Sequence, residues 1–92
     1  MAQVHIVMGE SGEYSDRREW PVLAYLDKDA AIAHVQRAEE WLLENDLSMA
    51  SPTVRYTYER GPSNPHDSQM SIDYTGVRYY VMSVLLANAE GR

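Results

Sequence analysis

A chain of 92 residues, with 45% hydrophobic residues, 24% charged residues and a formal charge of −6, has room for one hydrophobic core, so a single domain over 1–92 is expected, with 88–92 a frayed tail. It contains no cysteine, which excludes disulfides, thiol nucleophiles and cysteine-based zinc sites and suits a reducing interior. The acid excess disfavours phosphate binding driven by net charge, no apolar run reaches a membrane span, and no signal peptide is expected.

Gln3 to Met8 is β-branched and apolar, is bounded by Gly9, and reads as a first strand. A long, mixed segment from Gly9 to Trp20 follows, and then Pro21 to Leu26 reads as a second strand with Pro21 at its first position. Asp27 is a good N-cap for the helix that runs to about Asn45, where Ala31, His34, Val35, Ala38, Trp41 and Leu42 recur at three- and four-residue steps. Thr53 to Arg60 alternates Val54, Tyr56 and Tyr58 against Arg55, Thr57 and Glu59, as a half-buried strand does. Gly61 to Pro65 breaks it, and a second long, mixed segment runs from Asn64 to Tyr80. Val77 to Ala87 is the last strand, with apolar residues on both faces after Tyr80, so part of it should be central or covered on both sides. The order ββαββ predicts an α+β domain: about four strands in a mainly antiparallel sheet, with one helix on one face. If the helix is a right-handed crossover, the strand after it runs parallel to the second strand. The direction count then sends the two long segments off opposite ends of the sheet.

Long connections that mix turn formers with aromatic and charged residues are usually kept for function. Gly9-Glu10-Ser11-Gly12 lacks the spacing and the following helix of a nucleophile elbow, so a turn is the ordinary reading and no catalytic residue is expected. His66-Asp67, with Asp73, is the best candidate for a ligand or acid–base pair. Diagnostic metal spacing is missing, so turn hydrogen bonding by Asp67 comes first and neither metal nor cofactor is expected. Tyr56, Tyr58, Tyr79 and Tyr80 beside Arg55, Arg60 and Arg78 could stack bases, but cross-strand packing is the simpler reading. Trp20 and Trp41 are expected to staple the loop base and the helix into the core. Glu10, Glu13, Asp16 and Glu19 recur at three-residue steps, a spacing that can present a phosphate-like row to a basic groove or can simply be solvated.

Gly12-Glu13-Tyr14-Ser15-Asp16, followed by Glu19-Trp20 and an alanine-rich helix, resembles a group of small phage and prophage proteins. Asn64-Pro65-x-Asp67-x-x-Met70-x-x-Asp73-Tyr74-Thr75-Gly76 is similar to that group's second motif. The resemblance implies a protein made by a virus or mobile element in a bacterial cytoplasm, and brings no activity with it. By analogy with the inhibitors of CRISPR and restriction systems, the leading expectation is a non-enzymatic interaction protein. It would inhibit a host protein or ribonucleoprotein complex by occupying a basic nucleic-acid-binding surface, through Glu10, Glu13, Tyr14, Asp16, Glu19, Asp73 and Tyr74. The alternative is a small-ligand or enzymatic domain with a pocket of Tyr14, Arg17, His66 and Asp73. A third reading is a dimerisation module that uses the apolar surplus of the last strand.

Overall fold

The computed structural model describes residues 2–12, 17–49, 64–70 and 76–87. Its elements are β1 (Gln3–Ser11), β2 (Arg18–Tyr25), α1 (Lys28–Glu44) and β3 (Val77–Leu85). The sheet order is β2-β1-β3, and both outer strands run antiparallel to β1. Trp20, Val77 and Tyr79 of the sheet form one core with Ala38 and Leu42 of α1 and with Leu47, so the helix lies across one face. This is an α+β architecture. The expected fourth strand, 53–60, lies outside the described residues, and among those residues the sheet has three strands rather than four. None of the described helices is long and apolar enough to cross a membrane.

The first hairpin is longer than its sequence suggests. β1 runs through Gly9 to Ser11 and β2 begins at Arg18, so the connection shrinks to 12–17. Gly9 does not end the strand; it makes room. A Cβ there would sit 2.6 Å from the Trp20 ring, which lies over the Gly9 backbone from the opposite strand. Pro21 is internal to β2, where the register with β1 shifts between Val7 and Met8, and β2 has β1 alone as its sheet neighbour. An edge strand at a bulge is where a residue without an N–H is tolerated.

α1 follows its pattern closely. The Asp27 carboxylate accepts the Asp29 N–H at 3.0 Å, and Ala31, His34, Ala38 and Leu42 form the buried stripe. At the far end Asp46 takes a left-handed φ of 57°. The Leu47 N–H then bonds the Leu42 carbonyl at 2.8 Å and the Asp46 N–H bonds the Leu43 carbonyl at 3.3 Å, the paired bonds of a Schellman cap. The accompanying apolar contact is Leu42 with Leu47, both fully buried and each contributing roughly 1.5–3 kcal/mol.

The chain leaving α1 reaches β3 at once. Ser48 pairs with Val77 in a parallel bridge. Since β2 and β3 both oppose β1, this stretch also runs parallel to β2, the direction a right-handed crossover requires. Gly76, at φ 89°, lies so close that a Cβ would meet the Leu47 carbonyl at 2.8 Å. One rung further on, the Tyr79 N–H donates to the Glu39 carboxylate of α1. The start of β3's outer edge is thereby covered by α1 and its exit, and an edge so covered cannot template further strands. The expectation that the last strand is central or doubly covered does not hold for its second half: Met82, Val84 and Leu85 are exposed. β1 is the central strand, with neighbouring residues Val7 and Met8 buried on opposite faces.

The direction count is also corrected. Ser11 pairs with Val77, so the first connection leaves the sheet at the end where the second long segment rejoins it.

Candidate functional site

Directly opposed residues of an antiparallel sheet share a face, so the register sorts the side chains into rungs. On the helix side these are Ser83/His5/Tyr25, Val81/Val7/Leu23, Tyr79/Gly9/Trp20 and Val77/Ser11/Arg18. On the other side, helix-free among the described residues, they are Val84/Val4, Met82/Ile6/Ala24, Tyr80/Met8/Pro21 and Arg78/Glu10/Glu19. Polar chemistry gathers at the hairpin end on both faces, but it takes two forms.

Under the helix the centre is Asp67, which is 1% exposed. Its Oδ2 accepts the Trp20 indole N–H at 2.8 Å and the Tyr79 hydroxyl at 2.7 Å, and its Oδ1 accepts the Gln69 N–H at 2.9 Å. The Asn64 amide, equally buried, donates to the Ala38 carbonyl and the Tyr79 hydroxyl and accepts the His66 N–H at 2.8 Å. Among the described residues, every donor to Asp67 is neutral. Burial, reinforced by the Asp67 carboxylate beside it, pushes the Tyr79 phenol far above its ordinary range and keeps it a donor. Burial likewise raises the Glu39 carboxyl above the usual carboxylate value, partly offset by the Tyr79 N–H and by Arg78.

This network anchors 64–70 against α1 and β2. His34 Nε2 donates to the His66 carbonyl at 2.7 Å, so in the neutral ring Nδ1 is the acceptor and takes the Tyr25 hydroxyl at 2.9 Å. The His66 ring meets His34 edge-on, with centroids 6.3 Å apart. Beside them lies an open depression of about 330 Å³ lined by Val22, Leu23, Tyr25, His34, Arg37, Pro65, His66, Asp67 and Ser68.

On the helix-free face, Glu10 is 3% exposed and lies between two guanidinium groups. Arg17 Nε donates to its Oε1 at 2.9 Å and Arg78 Nε donates to its Oε2 at 2.6 Å. Arg17 also reaches Glu19 at 3.1 Å, and the Tyr80 hydroxyl donates to the other Glu19 oxygen. That bond is the main reason the Tyr80 phenol is pushed up to about 12. Above this rung come three apolar ones, in which Ala24, Met82 and Val84 are exposed.

Of the contact residues expected from sequence, Glu10 and Glu19 are described and stand side by side; Glu13, Tyr14, Asp16, Asp73 and Tyr74 lie outside the described residues. The acid row does not present its described ends as bare charge. Glu10 is buried between two guanidinium groups and Glu19 is shared by Arg17 and Tyr80. For the alternative pocket, Arg17 is tied to Glu10 on the helix-free face while His66 is held against α1 on the other, so these two are not brought together. Asp67 does make the expected turn bond. Its role as the acceptor for Trp20 and Tyr79 was hidden, because 47 and 12 residues separate it from those donors and no spacing rule links them. His34 and Arg37, three apart on one helical face, were a readable signal for the depression. No metal-holding cluster of three or more His, Asp or Glu side chains occurs among the described residues.

No family model matches the chain, and neither the curated proteins nor the solved structures include a match.

Proposed function

We propose that this chain is an interaction protein of phage origin that inhibits a host defence complex, of the CRISPR surveillance kind, by docking onto a basic nucleic-acid-binding surface. The observation that carries the reading is the helix-free face of the sheet. Three apolar rungs, from Val84/Val4 to Tyr80/Met8/Pro21, end in the ion-paired rung Arg78/Glu10/Glu19. An apolar centre with a polar, arginine-containing rim is how protein interfaces are built. The 12–17 connection begins and ends beside that charged rung, and its sequence contains Glu13, Tyr14 and Asp16. Glu10 acts within the chain, fixing Arg17 and Arg78, while Glu19 supplies exposed carboxylate at the rim. Affinity comes from the apolar rungs, and the acids steer the approach to a basic partner.

The test is phage plating on bacteria whose CRISPR system targets that phage, with the chain expressed in the host. Plating of the targeted phage should rise by orders of magnitude, with an untargeted phage unaffected. Met82→Glu, a change at an exposed position on the apolar rungs, should abolish the rise without unfolding the protein. Unchanged plating across hosts carrying the different system types overturns the reading.

A further inference from the structure

Net charge makes this chain a poor binder of anions in general, which gives weight to any place where cationic groups are left unspent. The depression between α1, β2 and 64–70 is such a place. Arg37 and His66 both line it, and among the described residues neither the Arg37 guanidinium nor a His66 ring nitrogen has a hydrogen-bond or ion-pair partner. The contrast with Arg17 and Arg78 is direct, since both of those are consumed by Glu10.

The rest of the lining is suited to holding a ligand. Asp67 is the one acid among the described residues that line it, and both its oxygens accept from Trp20, Tyr79 and Gln69, so its acceptor atoms are already engaged. His34 is locked by two hydrogen bonds and fixes the backbone that carries His66. Val22, Leu23 and Pro65 supply an apolar wall beside the guanidinium and the imidazole, and Ser68 adds a hydroxyl. About 330 Å³ is the lower end of the range for small-molecule sites. A guanidinium and an imidazole beside an apolar wall match a planar molecule that carries one oxyanion.

We propose that this depression binds a small anionic molecule, a phosphate monoester or a carboxylate, with its oxyanion held between Arg37 and His66 and its ring against Val22, Leu23 and Pro65. The site lies on the helix side of the sheet, away from the face assigned to a partner, and it stands or falls independently of that assignment.

Titration of the full chain with adenosine 5′-monophosphate, benzoate and adenosine, followed by the histidine ring signals in NMR spectra, tests it. Saturable shifts of the His66 and His34 rings are expected with the monophosphate or with benzoate, and whichever saturates identifies the class of anion. Arg37→Gln and His66→Ala should each weaken that binding by about 10-fold, the worth of one charge-assisted hydrogen bond, and should leave the unfolding midpoint near that of the parent. Arg18→Gln, at an exposed arginine on β2 outside the lining, should change nothing and controls for overall charge. The proposal is overturned by adenosine binding as well as its monophosphate, by no saturation with either anion, or by affinity that survives both Arg37→Gln and His66→Ala.

Discussion

Two carboxylates near the hairpin end of this sheet are each nearly without solvent, and they are held by opposite kinds of donor. Asp67 lies under the helix and is held by an indole, a phenol and a backbone amide; Glu10 lies on the helix-free face and is held by two arginines. The Trp20 and Tyr79 donors are themselves buried, so water does not readily replace Asp67 for them if it is lost. The Glu10 donors belong to side chains that are 47% and 58% exposed, and water is ready to take them. One network is therefore structural by necessity. The other can be rearranged by a partner, by salt or by substitution at modest cost.

The largest effect is expected at Asp67. Asp67→Ala strands the Trp20 N–H and the Tyr79 hydroxyl in the core, and at about 1–3 kcal/mol per orphaned donor it should cost about 3–5 kcal/mol in urea unfolding. For a domain of this size that is a large share of the whole stability. A loss under about 1 kcal/mol would mean that water or a neighbouring acceptor takes over, and the contrast between the two networks would fail.

Glu10→Gln should cost less, about 1–2 kcal/mol, because the orphaned arginines return to solvent. Its signature is salt. At ~1 M salt the screening length falls to about 3 Å, so the parent should lose stability to salt where Glu10→Gln does not, and Asp67→Ala should keep the parent's dependence. A Glu10→Gln protein as salt-sensitive as the parent would place the charge coupling elsewhere.

The same contrast explains what could be read in advance. The helix was legible to the residue because its signals are local: Asp27 as cap, and a stripe at Ala31, His34, Ala38 and Leu42. The strands were legible as elements, but β1 and β2 were cut short at Gly9 and Pro21, residues that normally stop strands. Trp20 folding over Gly9 and a bulge at an edge strand reverse both rules, and each depends on a partner strand. The ends of the sheet were misjudged for the same reason, since the Ser11 to Val77 pairing is long-range. At the site, the turn bond of Asp67 was visible and its buried partners were not. The acids of the first connection were visible as a row, but the arginines that absorb Glu10 sit 7 and 68 residues away.

Tyr79 and Tyr80 give the smallest and most selective test, because consecutive strand residues face opposite ways and each phenol reports one network. Both are raised, for different first reasons: Tyr79 by burial under the helix, Tyr80 by its hydrogen bond to Glu19. A phenol whose folded value exceeds its unfolded value gives stability that is complete below the unfolded value and disappears as pH climbs through the folded one. For Tyr80 that window runs from 10.0 to about 12. The tyrosinate absorbance of the parent minus that of Tyr80→Phe should therefore isolate one group titrating near 12. Glu19→Gln should return it toward 10.0 and flatten the alkaline loss of stability, while Tyr79 stays protonated, since Asp67 and burial hold it and Glu19 does not. If Glu19→Gln moves both phenols together, the two faces are coupled through the sheet, and the separation between a fixed network under the helix and a rearrangeable one on the open face is wrong.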